Sequence, residues 1–185
     1  MWLGSGCGLG HSDESVLRQE FSIPSDARLI RSHVSPEQSG WFGREGLRIE
    51  MVFQLEAGDW SEYVARARAS DRWKPLPIPE LFLRRMARIE TLREYYLRAG
   101  ESTGQAVPAE GAPGNPTEAQ LLESFQESLP PQPEAGLFQI RYSGTDIMSQ
   151  PKSLFESPDR DLSDFMLAML DERLQQILIK VSTSY

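Results

Sequence analysis

Residues 47–55 constrain the fold of this chain more than any other segment. Every odd position in this run is apolar, whereas the even positions are Arg48, Glu50, Val52 and Gln54. Because successive side chains of a β-strand point to opposite faces, the run predicts a strand with one apolar and one mostly polar face. Val52 is the apolar exception, and it predicts that the second face is partly covered as well.

Elements before and after this strand predict an antiparallel sheet with helices. The expected elements are a strand at 27–34, a turn at 35–40, and helices at 59–69 and 79–99. Turn residues between two apolar segments predict that 27–55 is a hairpin. Asp59 is a suitable N-cap, and Pro79 suits the first turn of a helix.

The C-terminal segment predicts further strands. Residues 137–142 have strand character and end at Ser143 and Gly144. We predict a second hairpin with its turn at 171–173, and the alternative is a helix across 161–176 that leads into a final strand. The final strand offers an apolar face that matches the odd positions of 47–55, formed by Ile177, Ile179 and Val181.

Residues 100–135 differ in composition from the rest of the chain. They contain six prolines, six glutamates and neither lysine nor arginine, which predicts a mobile acidic insertion. An amphipathic helix is expected inside it after Thr117, with Leu121, Leu122, Phe125 and Leu129 on its apolar side. This helix either packs on its own domain or binds a partner, and self-docking is favoured because its own core is always at high effective concentration.

The expected fold is therefore α+β. Residues 1–20 form a flexible tail, and residues 21–185 form one domain. The domain is expected to hold an antiparallel sheet of four to five strands with the two main helices on one face. The disordered acidic, Pro/Gly-rich insertion 100–135 separates the two halves of the sheet.

Composition limits the classes of function. The net charge of −8 disfavours binding to nucleic acid, which requires a basic surface. One cysteine excludes an intrachain disulfide and a four-cysteine zinc site, and two histidines leave few metal ligands. The chain has no run of 18 apolar residues, so no membrane span is expected. No metal or cofactor is expected either, because Cys and His are few and no phosphate loop is present.

The N-terminal residues resemble the end of a bacterial lipoprotein signal. Ser5 and Gly6 suit the two positions before the lipid-bearing Cys7, although Gly4 replaces the usual leucine. The basic start and the apolar core of a signal are missing from the chain as given. The resemblance implies export and membrane attachment through lipid at Cys7, whereas the alternative is a flexible tail with a free thiol.

Other candidate sites have structural alternatives that we favour. Residues 73–79 alternate proline with other residues, so Trp73 either docks into a partner or belongs to a rigid connector. The arginines of 79–99 form an anion-binding face or a solvated surface. Residues 159–164 match only the first half of a calcium loop, and His33 lacks an accompanying nucleophile motif.

We therefore predict a non-catalytic exported protein of the bacterial cell envelope with a binding or structural role. Its expected partner is an unidentified protein, and the partner-binding candidates are Trp73, Leu121, Leu122, Phe125 and Leu129. The alternative is a cytoplasmic acidic module that binds a basic partner as an adaptor or inhibitor. An enzyme with an unrecognised site is the third hypothesis.

Overall fold

The computed structural model describes residues 13–38, 45–103, 111, 115–143, 152–153, 161–162 and 164–183, and the elements below refer to these residues. The helices are α1 Asp13–Glu20, α2 Ala57–Ala69, α3 Glu80–Met86, α4 Ile89–Thr103 and α5 Glu118–Ser128. The strands are β1 Arg28–Gln38, β2 Glu45–Gln54, β3 Lys74–Pro75, β4 Gly136–Ser143, β5 Lys152–Ser153, β6 Asp164–Asp171 and β7 Gln176–Ser182. The α+β class is confirmed. Of the predicted tail 1–20, residues 1–12, including Cys7, lie outside the described residues, whereas 13–20 form α1, whose Leu17 is buried in the core.

All strand pairs are antiparallel, and the spatial order is β1-β2-β7-β6-β4-β3, with β5 paired to β4. The expected four to five strands correspond to the five long ones. The sequence missed β3 and β5, which have two residues each. Pro75 lacks an N–H donor, so its segment pairs only briefly at the sheet edge, and such short pairing leaves little pattern in the sequence.

The predicted pairing of β2 with the last strand is confirmed. Ile49 lies opposite Val181, and Phe53 lies opposite Ile177. All four of these side chains are buried on one face of the sheet. The predicted hairpin 27–55 is also confirmed, since β1 and β2 pair along their whole length. The turn expected at 35–40 was wrong for 35–38, because β1 continues through these residues and pairs with β2.

The second predicted hairpin, formed by β6 and β7, is confirmed against its helical alternative. The turn is closed by the carboxylate of Asp171, which accepts backbone N–H groups of Arg173 and Leu174 at 2.9 Å each. All eight residues of β6 are buried. A strand covered on both faces reads as a continuous apolar run, which explains why its sequence also suits a helix.

Helices cover both faces of the sheet, so the prediction that 59–69 and 79–99 lie on one face was wrong. The first face packs against α1 and α2, and the second face packs against α3 and α5. The strand residues show this directly, because Leu137 belongs to the first core whereas Phe138 and Ile140 belong to the second. The result is a three-layer arrangement with two apolar cores.

The helices themselves begin and end differently from expectation. The segment predicted as one helix over 79–99 breaks between α3 and α4, where Arg88 adopts a φ of 57°. Asp161 holds this break from a distant part of the chain, since its carboxylate accepts the backbone N–H of Thr91 at 2.6 Å. In α2 the N-cap is Glu56, and Asp59 lies in the first turn, where its charge favours the helix dipole.

The prediction of a disordered insertion at 100–135 is not confirmed in the part that the structure describes. Helix α4 continues to Thr103, and α5 begins with a reciprocal capping box between Thr117 and Gln120. Leu122 and Phe125 pack against the second core. The apolar side of α5 thereby supplies the burial that the acidic composition alone did not suggest, and the predicted self-docking is confirmed.

A buried lysine fixes the C-terminal end of α5 to the sheet. Lys180 of β7 lies directly opposite Glu50 of β2, and its Nζ is 2.5 Å from Glu50 Oε1. The same Nζ donates to the backbone oxygen of Ser128 at 3.2 Å. A cation at a helix C-terminus is favourable for the helix dipole, so Lys180 joins three elements on this face. Val52 is buried on this face as well, as its apolar character predicted.

Replacing Lys180 with glutamine is expected to lower the free energy of unfolding by about 1–2 kcal/mol, because α5 loses a charged hydrogen bond and Glu50 loses its partner. Chemical denaturation measures the loss, and hydrogen exchange should be fastest in α5. Arg68→Gln is the matched control, since its exposed ion pair with Glu172 should contribute at most about 0.5 kcal/mol. Equal losses in the two variants would contradict the role of Lys180.

Candidate functional site

A pocket of about 220 Å³ opens between the end of α1, the C-terminal half of α2 and β4. Phe21, Tyr63 and Trp73 line it with aromatic rings. The Trp73 ring lies 6.5 Å from that of Phe21 and 6.3 Å from that of Tyr63, centroid to centroid. The pocket thus has an apolar wall that is already packed, which is typical of a preformed binding site.

The turn after α1 shapes this wall. Ser22 adopts a φ of 53° just after the helix ends, and the backbone N–H of Ile23 donates to the oxygen of Arg18 at 2.8 Å. The buried hydroxyl of Tyr63 donates to the backbone oxygen of Phe21 at 2.7 Å, which ties the turn to α2. Because this hydrogen bond uses the Tyr63 proton, that hydroxyl is not a free donor for a ligand.

Gln139 of β4 contributes the most unusual group of the pocket. Its side chain is on the same sheet face as Leu137, lines the pocket and is 3% exposed. Among the described residues, none accepts a hydrogen bond from its Nε2. A buried polar group without a partner costs about 1–3 kcal/mol, so the fold gains nothing from this amide as it stands.

A neighbouring ion pair is charge-balanced. Glu20 at the end of α1 lines the pocket, and its Oε1 lies 2.6 Å from Nε of Arg141. Both side chains are mostly buried, with 18% and 11% of their surface exposed. The two charges cancel locally, so this pair adds little net charge to the pocket.

Two arginines line the pocket at its exposed side. Arg66 belongs to α2, and Arg72 precedes Trp73. Arg66 pairs with Glu62 at 2.8 Å on the helix surface, and both side chains are more than half exposed. Within the described part of the chain, no carboxylate forms an ion pair with Arg72. The pocket is therefore apolar in its walls, polar at Gln139 and positive at its mouth.

Burial raises the pKa of Tyr63 above its ordinary value of 10, and the nearby Arg66 opposes this shift. The folded protein then keeps the phenol proton at a pH where the unfolded chain loses it. The free energy of unfolding is therefore unaffected by this group below pH 10 and falls above it, by at most about 1.4 kcal/mol per pH unit. The free energy of unfolding of the wild type, measured from pH 8 to 11, should show this slope.

The Tyr63→Phe variant should lack this slope, although at neutral pH it loses about 1 kcal/mol with the hydrogen bond to Phe21. The difference in the free energy of unfolding between the wild type and Tyr63→Phe should therefore narrow as the pH rises. Tyr95→Phe, at an exposed position, serves as the control that keeps the slope. A constant difference between Tyr63→Phe and the wild type would contradict the assignment.

The structure places the predicted partner-binding residues in two locations. Trp73 is partly buried against the first core and forms a wall of the pocket. Leu122, Phe125 and Leu129 pack in the second core, and Leu121 is half-buried on α5. The apolar residues of α5 thus hold the helix on its own sheet, and the structure does not bring Trp73 together with them. The lipidation candidate Cys7 lies outside the described residues.

The predicted acid–base and calcium candidates do not meet. His33 is exposed on the edge strand β1, and Asp164 is buried in β6. Asp161 caps α4, and 159, 160 and 163 lie outside the described residues. In the part of the chain that the structure describes, no group of three or more His, Cys, Asp or Glu side chains is arranged for a metal ion. Among the described helices, none combines the length and the apolar character that a membrane crossing requires.

Sequence reasoning missed Gln139 and the two arginines of the pocket mouth. The signal for Gln139 was present, because a polar residue between Phe138 and Ile140 interrupts an apolar strand. Once both faces of a strand are covered, such a residue must be buried and needs a partner. Arg66 and Arg72 gave no signal, since exposed arginines near a helix end are common.

Comparisons of this chain with protein-family models, with curated proteins and with solved structures gave no match.

Proposed function

We propose that this protein is a non-catalytic binding protein that takes up one small organic molecule in the pocket between α1, α2 and β4. The buried Nε2 of Gln139, which has no hydrogen-bond partner among the described residues, supports this proposal most strongly. A ligand atom that bonds to this amide would recover the free energy that its burial costs. Rotation about the last torsion of glutamine is broad, so the amide can turn toward a ligand.

The size of the pocket sets the size of the ligand. A cavity of about 150 Å³ is known to hold benzene, so about 220 Å³ suits a single ring with one or two substituents. Larger ligands occupy pockets of roughly 300–1,000 Å³. The apolar walls with a few polar groups fit the general composition of small-molecule sites.

The test is a titration followed by NMR of the full chain with four single-ring probes, namely phenol, benzoate, 4-hydroxybenzoate and tyramine. The proposal predicts that at least one probe shifts both the side-chain amide of Gln139 and the indole N–H of Trp73. Gln54 and Trp60 are internal controls, because both lie outside the pocket lining and should not respond. If no probe at millimolar concentration shifts Gln139 and Trp73, the proposed function is wrong.

The location of this binding role is a separate proposal. The sequence around Cys7 supports export and lipid attachment to the cell envelope. Fractionation tests it, because Cys7→Ala should move the protein from the membrane to the soluble fraction. A wild-type protein that is soluble in the cell would overturn this location and favour the cytoplasmic acidic module, which the net charge of −8 supports.

A further inference from the structure

We infer that the ligand is a small aromatic acid, with its carboxylate at the mouth of the pocket and a hydrogen-bond acceptor on the opposite side of its ring. This inference rests on the proposed function and names the chemical class of the ligand. It joins three features of the pocket, namely the buried amide of Gln139, the aromatic walls, and Arg66 with Arg72 at the exposed side.

The deep end of the pocket calls for an oxygen acceptor. Gln139 is 3% exposed, whereas Arg66 and Arg72 are exposed, so the amide lies at the inner end and the arginines at the outer end. The atom without a partner is Nε2, which is a donor with two N–H groups. A hydroxyl or carbonyl oxygen on the ligand satisfies it.

The walls favour a planar ring. Trp73 meets Tyr63 edge-on, at an interplanar angle of 80°, and meets Phe21 at 56°. A further ring extends this tilted cluster in the geometries that aromatic pairs prefer. The volume of about 220 Å³ limits the ligand to one ring, as derived above for the proposed function.

The mouth favours a negative charge. Glu20 is balanced by Arg141, so the charges left at the pocket are those of Arg66 and Arg72. Arg66 already forms an ion pair with Glu62, but among the described residues Arg72 has no ion-pair partner. A guanidinium group matches a carboxylate by size, planarity and hydrogen-bond geometry. The attraction acts near solvent, so it should weaken as salt is added.

A cationic ligand is the alternative that aromatic walls suggest, because ring faces attract cations. The charges at the mouth argue against it, since Arg66 and Arg72 repel a cation that enters. One ring face is also engaged already, because Cζ of Arg66 lies 6.0 Å from the centroid of the Tyr63 ring. An anionic ligand is therefore attracted by the two arginines and does not compete with Arg66 for the face of the Tyr63 ring.

The same four probes test the class by their dissociation constants. We expect 4-hydroxybenzoate to bind best, because it carries both the carboxylate and the acceptor. Phenol should bind about fivefold more weakly without the carboxylate. Benzoate should also bind at least about fivefold more weakly than 4-hydroxybenzoate, because it leaves the buried amide of Gln139 unpaired. Tyramine, with the charge reversed, should bind most weakly.

Two substitutions separate the pocket charges from the net charge of the protein. Arg72→Glu should weaken the binding of 4-hydroxybenzoate by about fivefold or more and leave the binding of phenol unchanged. Arg93→Glu is the matched control, because it changes the net charge equally at an exposed position of α4 outside the pocket lining, and should change neither probe. Circular dichroism of both variants should match the wild type, since both arginines are exposed.

The outcomes distinguish this inference from the proposed function. If phenol or tyramine binds as tightly as 4-hydroxybenzoate, or if Arg93→Glu weakens binding as much as Arg72→Glu, the acid class is wrong while the pocket remains a binding site. If no probe shifts Gln139 and Trp73, both are wrong. The predicted order of the four probes, together with a loss confined to Arg72→Glu, supports the inference.

Discussion

The Gly136→Ala variant is expected to lose about 3 kcal/mol or more of its free energy of unfolding. Gly136 begins β4 with a φ of 147°, a conformation that side chains rarely adopt. A Cβ at this position would lie 1.8 Å from the backbone oxygen of Leu170 and 3.0 Å from its carbonyl carbon. Neither atom can move without breaking the β4–β6 ladder.

The consequences should extend along the sheet edge. The carbonyl oxygen of Gly136 accepts the backbone N–H of Leu76 at 3.1 Å, and Gly136 pairs with Asp171 at the end of β6. Urea denaturation measures the loss. Gly58→Ala is the matched control, because a Cβ added at this position of α2 would meet no atom of another part of the chain within 4 Å, and the variant should gain about 0.5–1 kcal/mol. Similar stabilities for the two variants would contradict the close approach at Gly136.

The Phe53→Ala variant is expected to lose about 3–5 kcal/mol, because it removes a fully buried ring and leaves a cavity. Phe53 lies in β2 between Leu29 of β1 and Ile177 of β7. The guanidinium of Arg18 lies 4.6 Å from the centre of its ring. The same guanidinium donates to the backbone oxygens of Pro24 and Ala27 at 2.8 Å each, so the ring supports the connection between α1 and β1.

Thermal and chemical denaturation should agree on this loss if unfolding is two-state. Phe53→Leu should lose less than half as much, because it keeps most of the buried apolar volume. Tyr95→Ala removes an aromatic ring that is 65% exposed on α4, and it should change the stability by at most about 0.5 kcal/mol. A loss at Tyr95 comparable with that at Phe53 would contradict the position of the core.

Local patterns were sufficient to predict β2 and both hairpins. The alternation in 47–55 reports one buried and one partly covered face directly, since each side chain's direction follows from its position in the strand. Val52 even indicated that the second face is covered, as it is. The hairpin of β6 and β7 was harder to predict, because a strand buried on both faces lacks alternation.

Contacts between distant segments explain the errors in the fold. Asp161 caps α4 just after the break at Arg88, because its carboxylate accepts the N–H of Thr91 from 70 residues further along the chain. Lys180 and Glu50 fix the end of α5, so an acidic segment that looked too polar to fold is ordered where the structure describes it. No window of sequence contains both partners of such a contact, and its stabilisation cannot be inferred locally.

The candidate site was also assembled from distant segments. Its residues come from α1, α2, the segment before β3 and β4, and each has an ordinary local explanation. Trp73 was singled out for partner binding, and it forms the pocket wall. Gln139 could have been noticed as a polar residue in an apolar strand, but its missing partner is visible only when the surrounding elements are in place.

The free energy of unfolding of Gln139→Met, measured without ligand, tests most directly whether this amide serves binding and not the fold. Methionine keeps the shape and removes the unpaired amide, so the stability should stay equal or rise by about 1 kcal/mol. Gln54→Met is the control, because Nε2 of Gln54 donates to the backbone oxygens of Leu174 and Gln175 at 3.0 and 3.1 Å, and its loss should cost about 1–2 kcal/mol. A loss of stability in Gln139→Met as large as that in Gln54→Met would show that the Gln139 amide stabilises the fold, which would contradict its assignment to ligand binding.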